Sequence, residues 1–244
     1  MAKIILLAAG KGSRLKPLTD DRPKCMVEYQ GKPLLRHLLE TIRCCGLRDI
    51  TVVDGYQATV IDAPDCKRYS NTRFDSTNMV ESLFSAESEL SGDDVIVSYT
   101  DIIYLPRVLK AIINAKDEFS VVIDTKWRQL WKQRMEDPLQ DAETLKLDSA
   151  GYIIELGKKP QTYDDIQGQY IGLFKIRADA LETVCDFYHA LDRTQSYDGK
   201  DFENMYMTTF IQLIIDKLMP VRAVKIDGGW LEVDAPSDLN LKML

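Results

Sequence analysis

Three observations predict an α/β fold with a mixed, mainly parallel sheet flanked by helices. Strand-length apolar runs alternate with segments of helical period through the first half of the chain. Several of those runs, such as Ile4–Ala9, are continuously apolar, as strands covered on both faces are. The first run leads into a glycine-rich basic loop, the usual position of a ligand loop in such sheets.

The elements follow in order. Lys3–Ala9 reads as a buried strand. Leu35, Leu38, Leu39 and Ile42 recur at helical spacing, with Gly46 placed to stop the helix. Ile50–Val53 is a short strand, Met79–Leu90 a helix, Asp94–Ser98 a strand, Leu105–Ala115 a helix and Ser120–Asp124 a strand. Thr144–Leu147 and Tyr152–Leu156 flank Asp148-Ser149-Ala150-Gly151, a hairpin signal with glycine at the turn. Gln169–Ile176 alternates weakly. Leu181, Val184, Cys185, Tyr188 and Leu191 mark a helix, and Phe202–Leu218 reads as a longer one closed by Pro220. Val221–Ile226 and Trp230–Val233 are strands, and Ala235–Leu244 reads as a terminal helix with Pro236 near its start. Without repeats, low-complexity tracts or linkers, the chain reads as one domain over residues 1–244.

Composition narrows the function classes. The 244 residues carry 31 basic and 38 acidic side chains, a formal charge of −7, which argues against a nucleic-acid-binding surface. No apolar run approaches the roughly 20 residues of a membrane helix, and Ile4–Ala9 is too short for a secretory signal. The five cysteines are odd in number and lack metal or disulfide spacing, so they read as reduced thiols of a cytoplasmic protein.

The strongest local signal is Leu7-Ala8-Ala9-Gly10-Lys11-Gly12-Ser13-Arg14-Leu15-Lys16-Pro17-Leu18-Thr19, followed by Pro23-Lys24. Small side chains at Ala8 and Ala9 let a ligand approach the backbone, and Gly10 and Gly12 permit unusual dihedrals and expose amide N–H groups. The guanidinium of Arg14 and the ammonium of Lys24 add the positive charge that a triphosphate needs. Leu15 stands where the dinucleotide-binding fingerprint needs a small third residue, and no G-x-x-x-x-G-K-[ST] is present.

The pattern L-A-A-G-x-G-x-R-L-x-P-L-T…P-K resembles the signature of the nucleotidyltransferases that couple nucleoside triphosphates to phosphorylated sugars and alcohols. The resemblance implies a Rossmann-like nucleotidyltransferase fold and transfer of a nucleoside monophosphate with release of pyrophosphate. It makes Arg14 and Lys24 the catalytic phosphate contacts. Leu7, Ala8, Ala9, Gly10, Gly12 and Ser13 become nucleotide-binding, in a part spanning about 1–125, with an acceptor-binding part at about 126–244. Thr77-Asn78-Met79-Val80-Glu81-Ser82-Leu83, the Trp127, Trp131 and Arg134 group, and Glu155-Leu156-Gly157-Lys158-Lys159 look like the choline-phosphate and phosphonate cytidylyltransferase branch. That branch places Thr77 and Asn78 near the nucleotide, a role compatible with a helix cap at Asn78. It also implies CTP as donor and a small phosphorylated amine or amino acid as acceptor, of the phosphoglutamine, phosphocholine or aminoethylphosphonate kind, for capsule or surface polysaccharide.

Such a reaction needs no covalent enzyme nucleophile, because the attacking phosphate oxygen is already anionic. Charge neutralisation by a divalent cation, Mg2+, is the expected device. Asp101 follows a strand at its carboxyl end, and Glu232 and Asp234 are two apart in Trp230-Leu231-Glu232-Val233-Asp234, which puts both on one face of a strand. The resemblance carries metal ligation onto Asp101 and Asp234, with Glu232 assisting. Asp93, Asp94 and Asp124 read instead as turn or cap residues. One departure is Thr100, where sugar nucleotidyltransferases usually have glycine before the aspartate.

For the acceptor, Lys158 or Lys159 would hold the phosphate, Gly172 would allow close approach, Glu203 with Asp201 and Asn204 would meet an ammonium, and Tyr170, Tyr206 and Trp230 would form an aromatic wall. His37 and His189 read as satisfied helix residues, and Cys25 has no task. Two alternatives stand beside this reading: a sugar 1-phosphate nucleotidyltransferase, and a catalytically silent regulatory homologue. A homo-oligomer is compatible with all three.

Overall fold

The computed structural model describes residues 2–243. The strands are β1 (Lys3–Leu7), β2 (Glu28–Tyr29), β3 (Lys32–Pro33), β4 (Ile50–Asp54), β5 (Lys67–Ser70), β6 (Val95–Tyr99), β7 (Ile102–Tyr104), β8 (Phe119–Asp124), β9 (Leu145–Leu147), β10 (Tyr152–Leu156), β11 (Gln169–Ile176), β12 (Val221–Ile226) and β13 (Trp230–Glu232). The helices are α1 (Leu34–Cys44), α2 (Met79–Phe84), α3 (Pro106–Ile113), α4 (Trp127–Arg134), α5 (Leu181–Ala190) and α6 (Met207–Lys217). The main sheet has nine strands in the order β5-β4-β1-β6-β11-β8-β12-β10-β9. β11 lies antiparallel between β6 and β8, and β10 is antiparallel to both neighbours; the remaining pairs are parallel.

The period-2 alternation of β1 divides the core. Ile4 and Leu6 face a layer built from α1, α3 and α4, with Leu38, Ile42, Val108 and Trp131 among its buried residues. Ile5 and Leu7 face the opposite layer, built from α2, α5 and α6, with Leu83, Val184 and Phe210. The sheet is therefore covered on both sides, which explains the continuous apolar runs. No helix among the described residues is long and apolar enough to cross a membrane.

Three helices differ from their predicted lengths. The predicted Met79–Leu90 helix stops at Phe84, where the Ser85 hydroxyl bonds back to Glu81 O, and continues as a 3-10 turn at Glu87–Glu89. The predicted Phe202–Leu218 helix is broken before Met207. Asp201 caps a separate turn at Phe202–Asn204, whose carbonyls are diverted: Glu203 O accepts Asn78 N at 3.0 Å and Asn204 O accepts Asn78 Nδ2 at 3.3 Å. The predicted Ala235–Leu244 helix is only a 3-10 turn at Pro236–Asn240. The Asp238 carboxylate holds the amides of Asp234 and Ala235 at 2.8 and 2.9 Å, fixing a tight corner there; Leu244 lies outside the described residues. The predicted hairpin forms, with Gly151 at φ +87°. α4, β5, β7 and the β2–β3 hairpin are additional elements.

Candidate active site

The loop after β1 is shaped around two residues. Gly12 has φ +66°, and a Cβ there would meet Lys24 Cβ at 2.8 Å, so the glycine lets the loop lie against the lysine stem. Thr19 Oγ1 donates to Gly12 O at 2.9 Å. Leu15 is fully buried and anchors the 3-10 turn Ser13–Leu15, which leaves Arg14 at the surface, reaching Asp234 with Nη2 2.6 Å from Oδ2. Gly10 departs from expectation: it does not use positive φ, and its Cα faces open space.

Asp101 and the C-terminal acids are brought together by the small β7–β13 ladder, which pairs Trp230 with Tyr104 and Glu232 with Ile102; Val233 N extends it by donating to Asp101 O at 2.9 Å. Thr100, the departure from the sugar-nucleotide pattern, donates its buried hydroxyl to Leu7 O at 2.8 Å and ties this ladder to the end of β1. Asp101, Glu232 and Asp234 then offer carboxylate oxygens within 4.8 Å of one another. Lys24 Nζ lies among them, donating to Asp101 Oδ2 at 2.8 Å and to Asp234 Oδ1. Burial opposes its charge, yet Asp101, Asp234 and Glu232 outweigh burial and hold its pKa above the ordinary lysine value.

The opposite side of this cluster is held by Arg134, whose importance sequence reasoning missed. Its nearly buried guanidinium places Nη1 2.6 Å from Glu232 Oε2, Nη2 3.8 Å from Asp234 Oδ2 and Nε 3.4 Å from Asp238 Oδ1. Burial pushes the Glu232 carboxyl up to about 7; Arg134 draws it down, while Asp234 and Asp101 push further up. Asp234 is also raised by burial, but Lys24, Arg14 and Arg134 prevail and depress it. Asp101 Oδ1 is buried without a hydrogen-bond partner among the described residues. Three converging carboxylates with one orphaned oxygen are a hard-oxygen donor set, and they fit a divalent cation.

Two cavities meet at this cluster. The first is lined by Leu7, Ala8, Ala9, Gly10, Lys24, Cys25, Phe74, Thr77, Asn78 and Asp101. Asn78 caps α2, accepting Met79 N at 2.8 Å, while Thr77 Oγ1 donates to Arg73 O at 2.9 Å and accepts from Asn71 Nδ2. Burial pushes the Cys25 thiol up to about 12, so it is not a poised nucleophile.

The second cavity, about 280 Å³, is lined by Arg14, Glu232 and Asp234, by Trp131, Tyr170, Tyr206 and Trp230, and by Asp141, Glu143, Gln169 and Gly172. Asn78, Met79 and Tyr99 line both cavities. Trp230 is oriented by the buried Asp124, whose Oδ2 accepts its indole N–H at 2.8 Å. Gly172 serves a close approach, but of Tyr99: a Cβ would lie 2.5 Å from its ring, at φ +82°. We therefore expect Gly172→Ala to lose roughly 2–4 kcal/mol of stability from left-handed strain and overpacking, read as a lowered denaturant midpoint with unchanged slope.

Five predicted acceptor residues, Lys158, Lys159, Asp201, Glu203 and Asn204, are not brought to this cavity's wall. Lys158 O accepts Thr144 N at 2.8 Å and Lys158 N donates to Thr144 Oγ1 at 3.2 Å, with the amine pointing outward and 3.9 Å from Glu155. The Lys159 amine is committed to Leu139 O and Gln140 O at 2.6 Å. Glu203 pairs with Arg73 at 2.7 Å, and Asp201 and Asn204 satisfy each other. Gly12 and Ser13 shape the loop without lining either cavity. His37 bonds Tyr29 O at 2.9 Å and His189 meets Glu87 at 2.7 Å, as helix residues with local partners.

Comparison with known proteins adds an independent line. Residues 4–149 match the model of the MobA-like NTP transferase domain. The chain is 46% identical over 249 aligned positions to the CTP:phosphoglutamine cytidylyltransferase of Campylobacter jejuni, with 98% of each covered. The fold is similar to that of the inositol-1-phosphate CTP transferase from T. maritima, at a TM-score of 0.76 and 20% identity, covering 98% of this chain and 92% of the other. It is also similar to the CTP:phosphocholine cytidylyltransferase from Streptococcus pneumoniae, at 0.72 and 20%, covering 97% and 95%.

Proposed function

The chain belongs to the MobA-like NTP transferase domain family, and on that premise we propose that it is a cytidylyltransferase moving CMP from CTP to phosphoglutamine, with release of pyrophosphate. The observation that carries this reading is the junction of two cavities at one charged cluster. A glycine-loop cavity, open at Gly10, suits a nucleotide. An aromatic and acidic cavity beside it suits a small cationic acceptor. Between them stand Lys24, Arg14 and the three carboxylates.

The chemistry follows from that placement. The acceptor's phosphate oxygen attacks the α-phosphorus, and the bond to the pyrophosphate oxygen breaks. Lys24 and Arg14 supply fixed positive charge to the triphosphate, and the backbone from Ala8 to Gly10 leaves room for the nucleoside. Asp101, Glu232 and Asp234 would hold a divalent cation, Mg2+ in this proposal, which when bound neutralises phosphate charge and polarises the reacting phosphoryl group. Arg134 and Asp238 keep Glu232 and Asp234 in register for that role. Within this proposal the cytidylylated product serves surface-polysaccharide modification.

The test is pyrophosphate release with Mg2+, each nucleoside triphosphate being offered against phosphoglutamine, phosphocholine, aminoethylphosphonate and two sugar 1-phosphates. Release with CTP and phosphoglutamine is expected. Release with a sugar phosphate and another triphosphate would overturn the substrate assignment. No release with any pair, while CTP still binds, would favour a regulatory homologue.

A further inference from the structure

The carboxylates of the acceptor cavity fall into two groups. One is Glu232 and Asp234, which with Asp101 of the neighbouring cavity form the cluster crowded by Lys24, Arg14 and Arg134. The other is Glu143 with Asp141, on the irregular stretch between α4 and β9. Glu143 is placed deliberately: its N–H donates to Gln169 Oε1 at 3.1 Å, and Gln169 Nε2 donates back to Glu143 O, so one buried amide clamps its backbone from both sides. Asp141 is fixed by Trp131, whose indole N–H donates to Oδ2 at 3.1 Å. Yet the Glu143 carboxylate makes no hydrogen bond or ion pair among the described residues. Burial first, then repulsion from Asp141, raises its pKa to about 7. Beside it the buried Tyr170 hydroxyl faces that of Tyr99 and has no other partner among the described residues.

A half-buried carboxylate that lines the cavity without a cation, next to a buried hydroxyl and aromatic faces, is complementary to a cation that also donates hydrogen bonds. We propose that Glu143, with the Tyr170 hydroxyl and Asp141, recognises a primary ammonium group on the acceptor and so determines which phosphorylated amines are used. A primary ammonium brings three N–H donors to this corner. A quaternary ammonium brings none and leaves Glu143 and Tyr170 unsatisfied, so it is selected against. The proposal rests on the phosphoglutamine reading, whose acceptor carries an α-ammonium, and refines it by naming the group that is read.

The test compares phosphoglutamine with two matched acceptors, one lacking the α-amino group and one with that nitrogen trimethylated. In the wild type, KM for phosphoglutamine should be roughly 10- to 100-fold below that for either analogue, the range for a lost charge-assisted hydrogen bond. Glu143→Gln should remove most of the advantage by raising KM for phosphoglutamine far more than KM for the deaminated acceptor. KM for CTP and for the deaminated acceptor should move far less than KM for phosphoglutamine. A wild type indifferent to the amine, or a Glu143→Gln enzyme equally impaired with all three acceptors, would overturn the proposal and leave the cytidylyltransferase reading standing. If no acceptor is turned over, the acceptor reading fails, and tryptophan fluorescence decides the proposal separately, because Trp131 and Trp230 line the cavity. Quenching by L-glutamine but not by its deaminated analogue, lost in Glu143→Gln, would support it. Equal responses, or none, would overturn it.

Discussion

A Lys24→Met enzyme should turn over roughly 100- to 1000-fold more slowly, the usual loss for one charge-stabilising group, and its stability should become unusually sensitive to pH. The ammonium is bonded to Asp101 and Asp234 with Glu232 close by, so its removal leaves three carboxylates facing one another with only Arg14 and Arg134 to offset them. Leaving buried charge uncompensated costs about 3 kcal/mol or more. The sign is fixed by linkage. In the wild type Asp234 is depressed by Lys24, so its contribution is present at neutral pH and lost as pH falls through its folded pKa. Without Lys24 the carboxyls titrate higher, so the deficit is largest above neutrality and shrinks toward pH 5. Thermal unfolding of both proteins from pH 5 to 8 measures this. Millimolar Mg2+ should recover part of the loss in the variant at pH 8, because a divalent cation then takes the charge-balancing place of the ammonium. A pH-independent difference without metal rescue would contradict this account of Lys24.

Asp101→Asn is the second large effect. Asparagine keeps the shape and can remain beside Lys24, so the fold should survive with a near-normal melting temperature. The orphaned oxygen at Oδ1 nevertheless loses its anionic character. We expect turnover to fall roughly 100- to 1000-fold. We also expect Mn2+ binding in the presence of CTP, followed by electron paramagnetic resonance, to weaken at least tenfold, about the scale of losing one anionic ligand bond. Near-normal turnover in the folded variant would remove Asp101 from the proposed metal site.

What the sequence made legible was local. The glycine loop could be read because Gly12, Leu15 and Arg14 each do a job set by immediate neighbours, and the strands could be read because both faces of the sheet are apolar. The convergence of Asp101 with Glu232 and Asp234 depends on a three-residue ladder between segments far apart in the chain, which leaves no periodic signal; only the family pattern pointed to it. Arg134 appeared in that pattern without a role because its partners arrive about a hundred residues later. Glu143 sits on a stretch with neither helical nor strand period, so nothing marked it. Lys158 was a reasonable phosphate ligand by position, but its backbone is held by the amide and hydroxyl of Thr144 and its amine turns away. The shortened helices share one cause: side chains of Asn78, Asp201, Ser85 and Asp238 compete for backbone groups that a helix would have used.

The placement of β11 between β6 and β8 also bears on how the molecule is made. A nascent chain that has emerged only as far as β8 has the β5-β4-β1-β6 half of its sheet, but β6 still presents a bare apolar edge, because its neighbour is not synthesised until Ile176. β8 in turn waits for β12 at Val221–Ile226. Closure of the sheet is therefore a late, non-local event, of the kind that folds slowly and exposes sticky edges meanwhile. A fragment ending near residue 125 should aggregate rather than bind nucleotide, and ribosome-stalled chains of increasing length should become protease-resistant in one step after β12 has emerged.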